Sequence, residues 1–160
     1  MISPHRQPVV AICGPGGSVA PELAEIAREV GRMLAERHYA VATGGLDGIM
    51  EAACRGAREA GGVSLGILPS ADPSEANPYV SIAIACGNGQ QRNSVLVQTA
   101  KVVVAIGRSH GTLSEVALAL RLGRPVVALD SYGPDIDPKI RVVRDAGHAC
   151  HAAVELAGPA

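Results

Sequence analysis

A chain of 160 residues with 14 basic and 15 acidic side chains carries a net charge of −1, and 48% of it is apolar. That length builds one well-packed core, while near-neutral charge with no Trp, no Phe and three Tyr excludes both the basic footprint and the stacking platform of a nucleic-acid binder. No apolar run nears the roughly 20 residues of a membrane span, MISPHRQP has no signal-peptide core, and Cys13, Cys54, Cys86 and Cys150 form no CxxC pair. The expectation is a cytoplasmic protein with free thiols.

In chain order, PVVAIC (8–13) reads as a strand, followed by the glycine-rich CGPGGS (13–18). Leu23, Ile26, Ala27, Val30 and Leu34 then form a helical stripe, predicting a helix from Pro21 to Arg37. YAVA (39–42) is a second strand, and TGGLDG (43–48) leads into a helix from Asp47 to about Ala60. Ala52, Ala53, Gly56, Ala57 and Ala60 give that helix a face of tiny side chains, which predicts close packing on a sheet. VSLGIL (63–68) and VSIAIA (80–85) are strands flanking the proline-bearing loop Pro69–Pro78. CGNGQQRN (86–93) opens a helix over Gln90–Thr99.

KVVVAI (101–106) is the fifth strand, followed by GRSHGT (107–112) and a helix marked by Leu113, Val116, Ala117 and Leu120, which Gly123 ends. PVVAL (125–129) is the sixth. The tail reads as a helix over Ile136–Ala146, a seventh strand near His148–Cys150 and a helix over Ala152–Ala157. Short strands apolar on both faces, alternating with helices, predict a single α/β domain over residues 1–160. Its architecture is Rossmann-like and doubly wound, with about seven mostly parallel strands and helices on both faces.

In such sheets ligands collect beyond the carboxyl ends of the strands. Four of the polar or glycine-rich segments fall there. Glycines admit a close backbone approach, and helix N-termini favour anions. The candidate phosphate-ligand residues are Gly14, Gly16, Gly17 and Ser18 in the first loop and Gly44, Gly45 and Gly48 in the second. Asn93 ends the third, and Gly107, Arg108, Ser109, His110, Gly111 and Thr112 form the fourth. The GxGxxG fingerprint with its acidic partner is absent, as is a Gly-Lys-Ser/Thr P-loop, so neither a standard NAD enzyme nor a P-loop ATPase is expected. With only Lys101 and Lys139 available, a pyridoxal Schiff base is disfavoured.

Thr112-Leu-Ser-Glu115 reads as a capping box, Thr112 capping the helix and Glu115 reaching back to it. The same placement aims the Glu115 carboxylate at the loop. Ser109 and His110 are chain neighbours without a third partner and form no catalytic dyad; His110 instead shapes a pocket or hydrogen-bonds a ligand. Arg92, at a helix start on the same edge, suits phosphate or carboxylate recognition, with a solvated surface arginine as the alternative. His148, Cys150 and His151 straddle a predicted strand-to-helix turn, and no metal site is expected from them.

Four segments carry a family resemblance: TGGLDGIMEAACRGAREAGG, ILPSADPSEANPYVSIAI, QRNSVLVQTAKVVVAIG and GTLSEVALALRLGRPVVAL. Together, over about Val9 to Leu129, they resemble the molybdenum-cofactor carrier protein family. It lies within the superfamily of the Lonely Guy cytokinin-activating phosphoribohydrolases, whose members are often labelled lysine decarboxylase-like. The resemblance implies a Rossmann-like fold, a homo-oligomer (dimer or tetramer) and a phosphate-ligand cleft built from the glycine-rich loops. It also implies that Arg92 and Glu115 stand where the hydrolases carry their catalytic Arg and Glu. Where relatives read GGGxGT or PGGxGT, Arg108 and Ser109 here replace two glycines.

Three functions follow as expectations. The first is a binding or carrier protein for a phosphorylated nucleotide-like or pterin ligand. No further cofactor is required, and the bound molecule is a nucleotide monophosphate or a molybdopterin-type compound. The second is a nucleoside 5′-monophosphate phosphoribohydrolase using Arg92 and Glu115. The third is a non-catalytic scaffold whose pocket Arg108 fills.

Overall fold

The computed structural model describes residues 6–160; the reading of the N-terminus rests mainly on residues 1–5, outside the described residues. The strands are β1 (Val9–Cys13), β2 (Ala40–Thr43), β3 (Ser64–Leu68), β4 (Ile82–Ala85), β5 (Val102–Ile106), β6 (Val126–Leu129) and β7 (Arg141–Val143). The helices are α1 (Pro21–Glu36), α2 (Ile49–Glu59), α3 (Arg92–Thr99), α4 (His110–Arg121) and α5 (Ala146–Ala157). Short 3-10 turns lie at Pro73–Glu75 and Gly89–Gln91.

The strands form one sheet in the order β4-β3-β2-β1-β5-β6-β7, and every pairing is parallel. Alternation along each strand divides the core in two. Val10, Ile12, Val102, Val104, Ile106, Val127 and Leu129 face one layer, which α1, α2 and α5 cover. Ala11, Cys13, Val103, Ala105, Val126 and Ala128 face the other, covered by α3 and α4. The period of two thus puts Cys13, the last residue of β1, on the α3/α4 side.

The small-residue face of α2 does more than lie on the sheet. Ala53 and Ala57 enter the core, but Gly56 presses on α1: a Cβ there would stand 1.8 Å from the Arg28 carbonyl oxygen. At Gly31 of α1 a Cβ would stand 2.2 Å from the Ala53 carbonyl oxygen. The two helices meet backbone to backbone, which only glycine permits.

The tail departs from expectation. His148–Cys150 are helical, inside α5, and the seventh strand is Arg141–Val143. Asp145 caps α5, its Oδ1 accepting the His148 N–H at 2.8 Å, so the helix starts directly after β7. The helix expected over Ile136–Ala146 does not form. Asp137 turns the chain instead, accepting the Lys139 N–H on its side chain and the Ile140 N–H on its carbonyl. Among the described residues no helix is long and apolar enough to cross a membrane.

Candidate functional site

The strand order reverses direction between β1 and β5, so the loops leaving these strands diverge and open a crevice at the sheet edge. The loop after β1 is joined to the one after β2. The Gly17 N–H donates to Asp47 Oδ1 at 2.7 Å, and the Ile49 N–H donates to the Pro15 carbonyl at 3.0 Å. This crossing requires glycine at 48, where φ is +63° and a Cβ would stand 2.5 Å from the Pro15 oxygen. Asn77, from the ANPYV segment, pins the second loop from outside. Its backbone N–H donates to the Gly45 carbonyl and its Nδ2 to the Leu46 carbonyl.

Beneath these loops lies a charged cluster. Arg92 opens α3 and is 4% exposed; its Nη1 donates to the carbonyls of Gly44 and Ile67, each at 2.7 Å. Gly44 has no room for a side chain, since a Cβ would meet that guanidinium at 2.1 Å. Glu115, 7% exposed on α4, faces the cluster from the other element. Burial pushes its carboxyl up from 4.5 to about 7, against the pull of the Arg92 charge and the Cys13 thiol. Burial, with the nearby Glu115 carboxylate, drives the Cys13 thiol well above its ordinary range. Burial also lowers the Arg92 guanidinium, and Glu115, Cys13 and Cys86 partly offset that effect. Arg92 Nε and Asn93 Oδ1 are buried without a protein partner.

This arrangement places a carboxyl poised near neutrality next to a fixed cation, at the carboxyl end of a central strand. A sequence model of the SLOG cluster4 family matches residues 7–154. The chain belongs to the SLOG cluster4 family. Its structure is similar to that of the molybdenum cofactor binding protein from Rippkaea orientalis, with 32% identity and a TM-score of 0.88 over 94% of this chain and 97% of that one. It is similar also to the molybdenum cofactor carrier protein from Chlamydomonas reinhardtii, with 35% identity and a TM-score of 0.87 over 94% and 98%. An uncharacterized protein of Archaeoglobus fulgidus is 36% identical over 113 residues, which are 71% of this chain and 74% of the relative. The resemblance carried by the four segments agrees with these matches.

In this SLOG cluster4 protein the helix after β5 starts earlier than the capping box implied. Ser109, not Thr112, is the N-cap: its Oγ accepts the Thr112 N–H at 3.1 Å and lies 2.8 Å from the Thr112 hydroxyl. Glu115 therefore sits in the second turn, turned into the protein rather than back to the cap. His110 and Gly111, in the first turn of α4, are exposed. Arg108 leans away from the Arg92 cluster. Its Nε donates to the Ser131 carbonyl at 3.0 Å, and its guanidinium stacks 5.3 Å from the centre of the Tyr132 ring.

The structure brings Arg92, Gly44 and Glu115 together, buries Asn93 next to Arg92 in the chain, and groups Ser18, Gly107 and Arg108 around a neighbouring cavity. Gly14 lies under Ile49 of α2, and Gly16 lies beside the Asp47 carboxylate. His148 and His151 are exposed while Cys150 is buried in the core, and His148 Nδ1 lies 2.7 Å from Asp145. Among the described residues no three His, Cys, Asp or Glu side chains converge as metal ligands. Sequence reasoning passed over Cys13, Asp47, Asn77, Asp130 and Tyr132. Asp130 and Tyr132 directly follow β6, where the same carboxyl-end rule would have pointed to them.

Proposed function

We propose that the protein binds and carries a phosphorylated ligand of the pterin or nucleotide type, a molybdopterin compound or a nucleoside monophosphate, at the carboxyl edge of the sheet. The observation that carries this reading is the likeness, over 94% of the chain, to two proteins described as binding or carrying molybdenum cofactor. The residues fit such a cargo. Arg108 supplies a cation at the edge, the N-termini of α1 and α4 favour anions, and Arg92 Nε and Asn93 Oδ1 lack protein partners. A homo-oligomer is part of the proposal. Ile82 and Ile84 of β4 are 51% and 40% exposed on the side that the eight-residue α3 leaves uncovered.

Native mass spectrometry of freshly purified protein, followed by titration with molybdopterin, AMP and GMP, tests the reading. Saturable binding of at least one is expected. No co-purified ligand and no saturable binding would overturn it.

One observation favours a second reading, hydrolysis of the N-glycosidic bond of a nucleoside 5′-monophosphate. A Glu115 carboxyl near 7 is suited to acid–base work at neutral pH. Incubation with AMP and with a cytokinin ribotide, following free base by chromatography, decides this. Release that is lost in Glu115→Gln supports it; no release, or release unchanged in that variant, refutes it. Arg92→Ala is the weaker probe, because it strips two backbone carbonyls of their donor.

A further inference from the structure

We propose that the cavity between the β1 and β5 loops, on the α1 side of the sheet edge, seats a phosphate monoester, with Arg108 as its cation and Asp130 as acceptor for a hydroxyl of the same ligand. This inference rests on the carrier reading above and assigns the part of the edge that holds the anion. The cavity has a volume of about 380 Å³ and is lined by Pro15, Ser18, Leu23, Gly107, Arg108 and Asp130, among others. That size falls within the range of small-ligand pockets. Leu23 packs with the α1/α2/α5 core, whereas Cys13, the neighbour of Glu115, packs on the opposite side. The cavity is thus distinct from the Arg92–Glu115 cluster.

Arg108 is positioned in advance. Nε is committed to the Ser131 carbonyl, Tyr132 supports the guanidinium, and the Tyr132 hydroxyl donates to the Ser109 carbonyl at 3.0 Å, bracing the loop that carries Arg108. Among the described residues Arg108 pairs with no carboxylate, Asp130 included, although Asp130 lines the same cavity. The terminal nitrogens keep the planar donor fork that suits phosphate. Asp130 is held at φ +49°, a conformation uncommon for a residue with a side chain, and its carboxylate accepts from a hydroxyl or N–H.

The competing seat is already served. The Gly17 N–H of the glycine-rich loop has its own anion in Asp47, at 2.7 Å. A ligand phosphate there would have to displace that carboxylate or lie against its like charge. The α1 terminus supports the Arg108 side: Ala20 lines the cavity, no side chain caps the helix, and Pro21 stands in its first turn.

The test is calorimetric titration of the full chain at low ionic strength with ribose 5-phosphate, AMP, inorganic phosphate, adenosine and molybdopterin. Ribose 5-phosphate and AMP are expected to bind and adenosine to fail. Arg108→Ala should weaken ribose 5-phosphate about 10- to 100-fold, the loss of a charge-assisted hydrogen bond or two, and Arg108→Lys should recover part of it. Asp130→Asn should weaken ribose 5-phosphate but not inorganic phosphate. Circular dichroism melts of each variant separate lost binding from lost folding, and Arg108 is exposed enough for its variants to fold. Unchanged binding in Arg108→Ala overturns the proposal and leaves the carrier reading intact. So does tighter binding in Asp47→Asn with Arg108→Ala silent, which would put the seat on the glycine loop. Binding of molybdopterin alone, with ribose 5-phosphate and AMP inert, overturns this assignment only. No saturable binding of any of these probes overturns both.

Discussion

Glu115→Gln removes a single ionisable group from the buried cluster while keeping its size. The carboxyl is raised from 4.5 to about 7, chiefly by burial. The folded chain therefore holds the proton more tightly than the unfolded chain does between those values. The associated stability is fully present below about pH 4.5 and is lost as pH rises through about 7. At about 1.4 kcal/mol per pH unit, this interval corresponds to about 3 kcal/mol. With Glu115 only 7% exposed, little water is present to screen it. The Arg92 charge acts on Glu115 only once the carboxyl ionises, and its pull is already contained in the value of about 7. Urea denaturation of both proteins at intervals from pH 4.5 to 8.5 isolates the titrating part. The stability difference should move by about 3 kcal/mol in favour of the variant across the range. Parallel curves, differing by a constant offset, would show that Glu115 titrates as an ordinary carboxylate and would refute the reasoning.

Two further outcomes follow from packing. Gly56→Ala drives a Cβ to 1.8 Å from a backbone oxygen of α1, so a net loss of about 1–3 kcal/mol is expected despite alanine's better helix propensity. Gly147→Ala, where the nearest contact is Asp145 Oδ1 at 3.4 Å, should be neutral or stabilising by up to about 1 kcal/mol; equal melting temperatures for the two variants would contradict the helix contact. Among the four thiols only Cys86 is partly exposed, while Cys13, Cys54 and Cys150 are buried. An aromatic disulfide reagent should therefore label Cys86 rapidly and the others only on unfolding, as mass spectrometry of labelled peptides would read.

Much of the fold was legible because a parallel sheet buried on both faces leaves a local mark. Runs such as VVAIC and VVVAI are apolar throughout, and each is followed by glycine and a helical stripe. The tail is less legible because RVV is an edge strand, three residues long and largely exposed, so it has no continuous apolar signature. Asp145 starts α5 as its N-cap, a residue type equally at home in turns.

The sequence by itself determined the alternating architecture, the sheet edge on which the polar loops gather, and the family. These depend on periodicity and short motifs, which are local properties of the chain. Tertiary structure alone decided what each polar residue at that edge does. Arg92 reads as a phosphate- or carboxylate-recognising side chain, or a solvated one, until the Gly44 and Ile67 carbonyls, 48 and 25 positions away, close on it. Glu115 reads as a helix-capping carboxylate that also faces the loop until Ser109 takes the cap and the interior of the protein takes the carboxyl. Arg108 reads as a side chain that fills a phosphate loop or adds a cation to it until Ser131 and Tyr132, beyond the next strand, hold it at the rim of the cavity beside Gly107. In each case the partner is distant in sequence, and burial by distant partners sets both the charge of a group and the direction in which it acts.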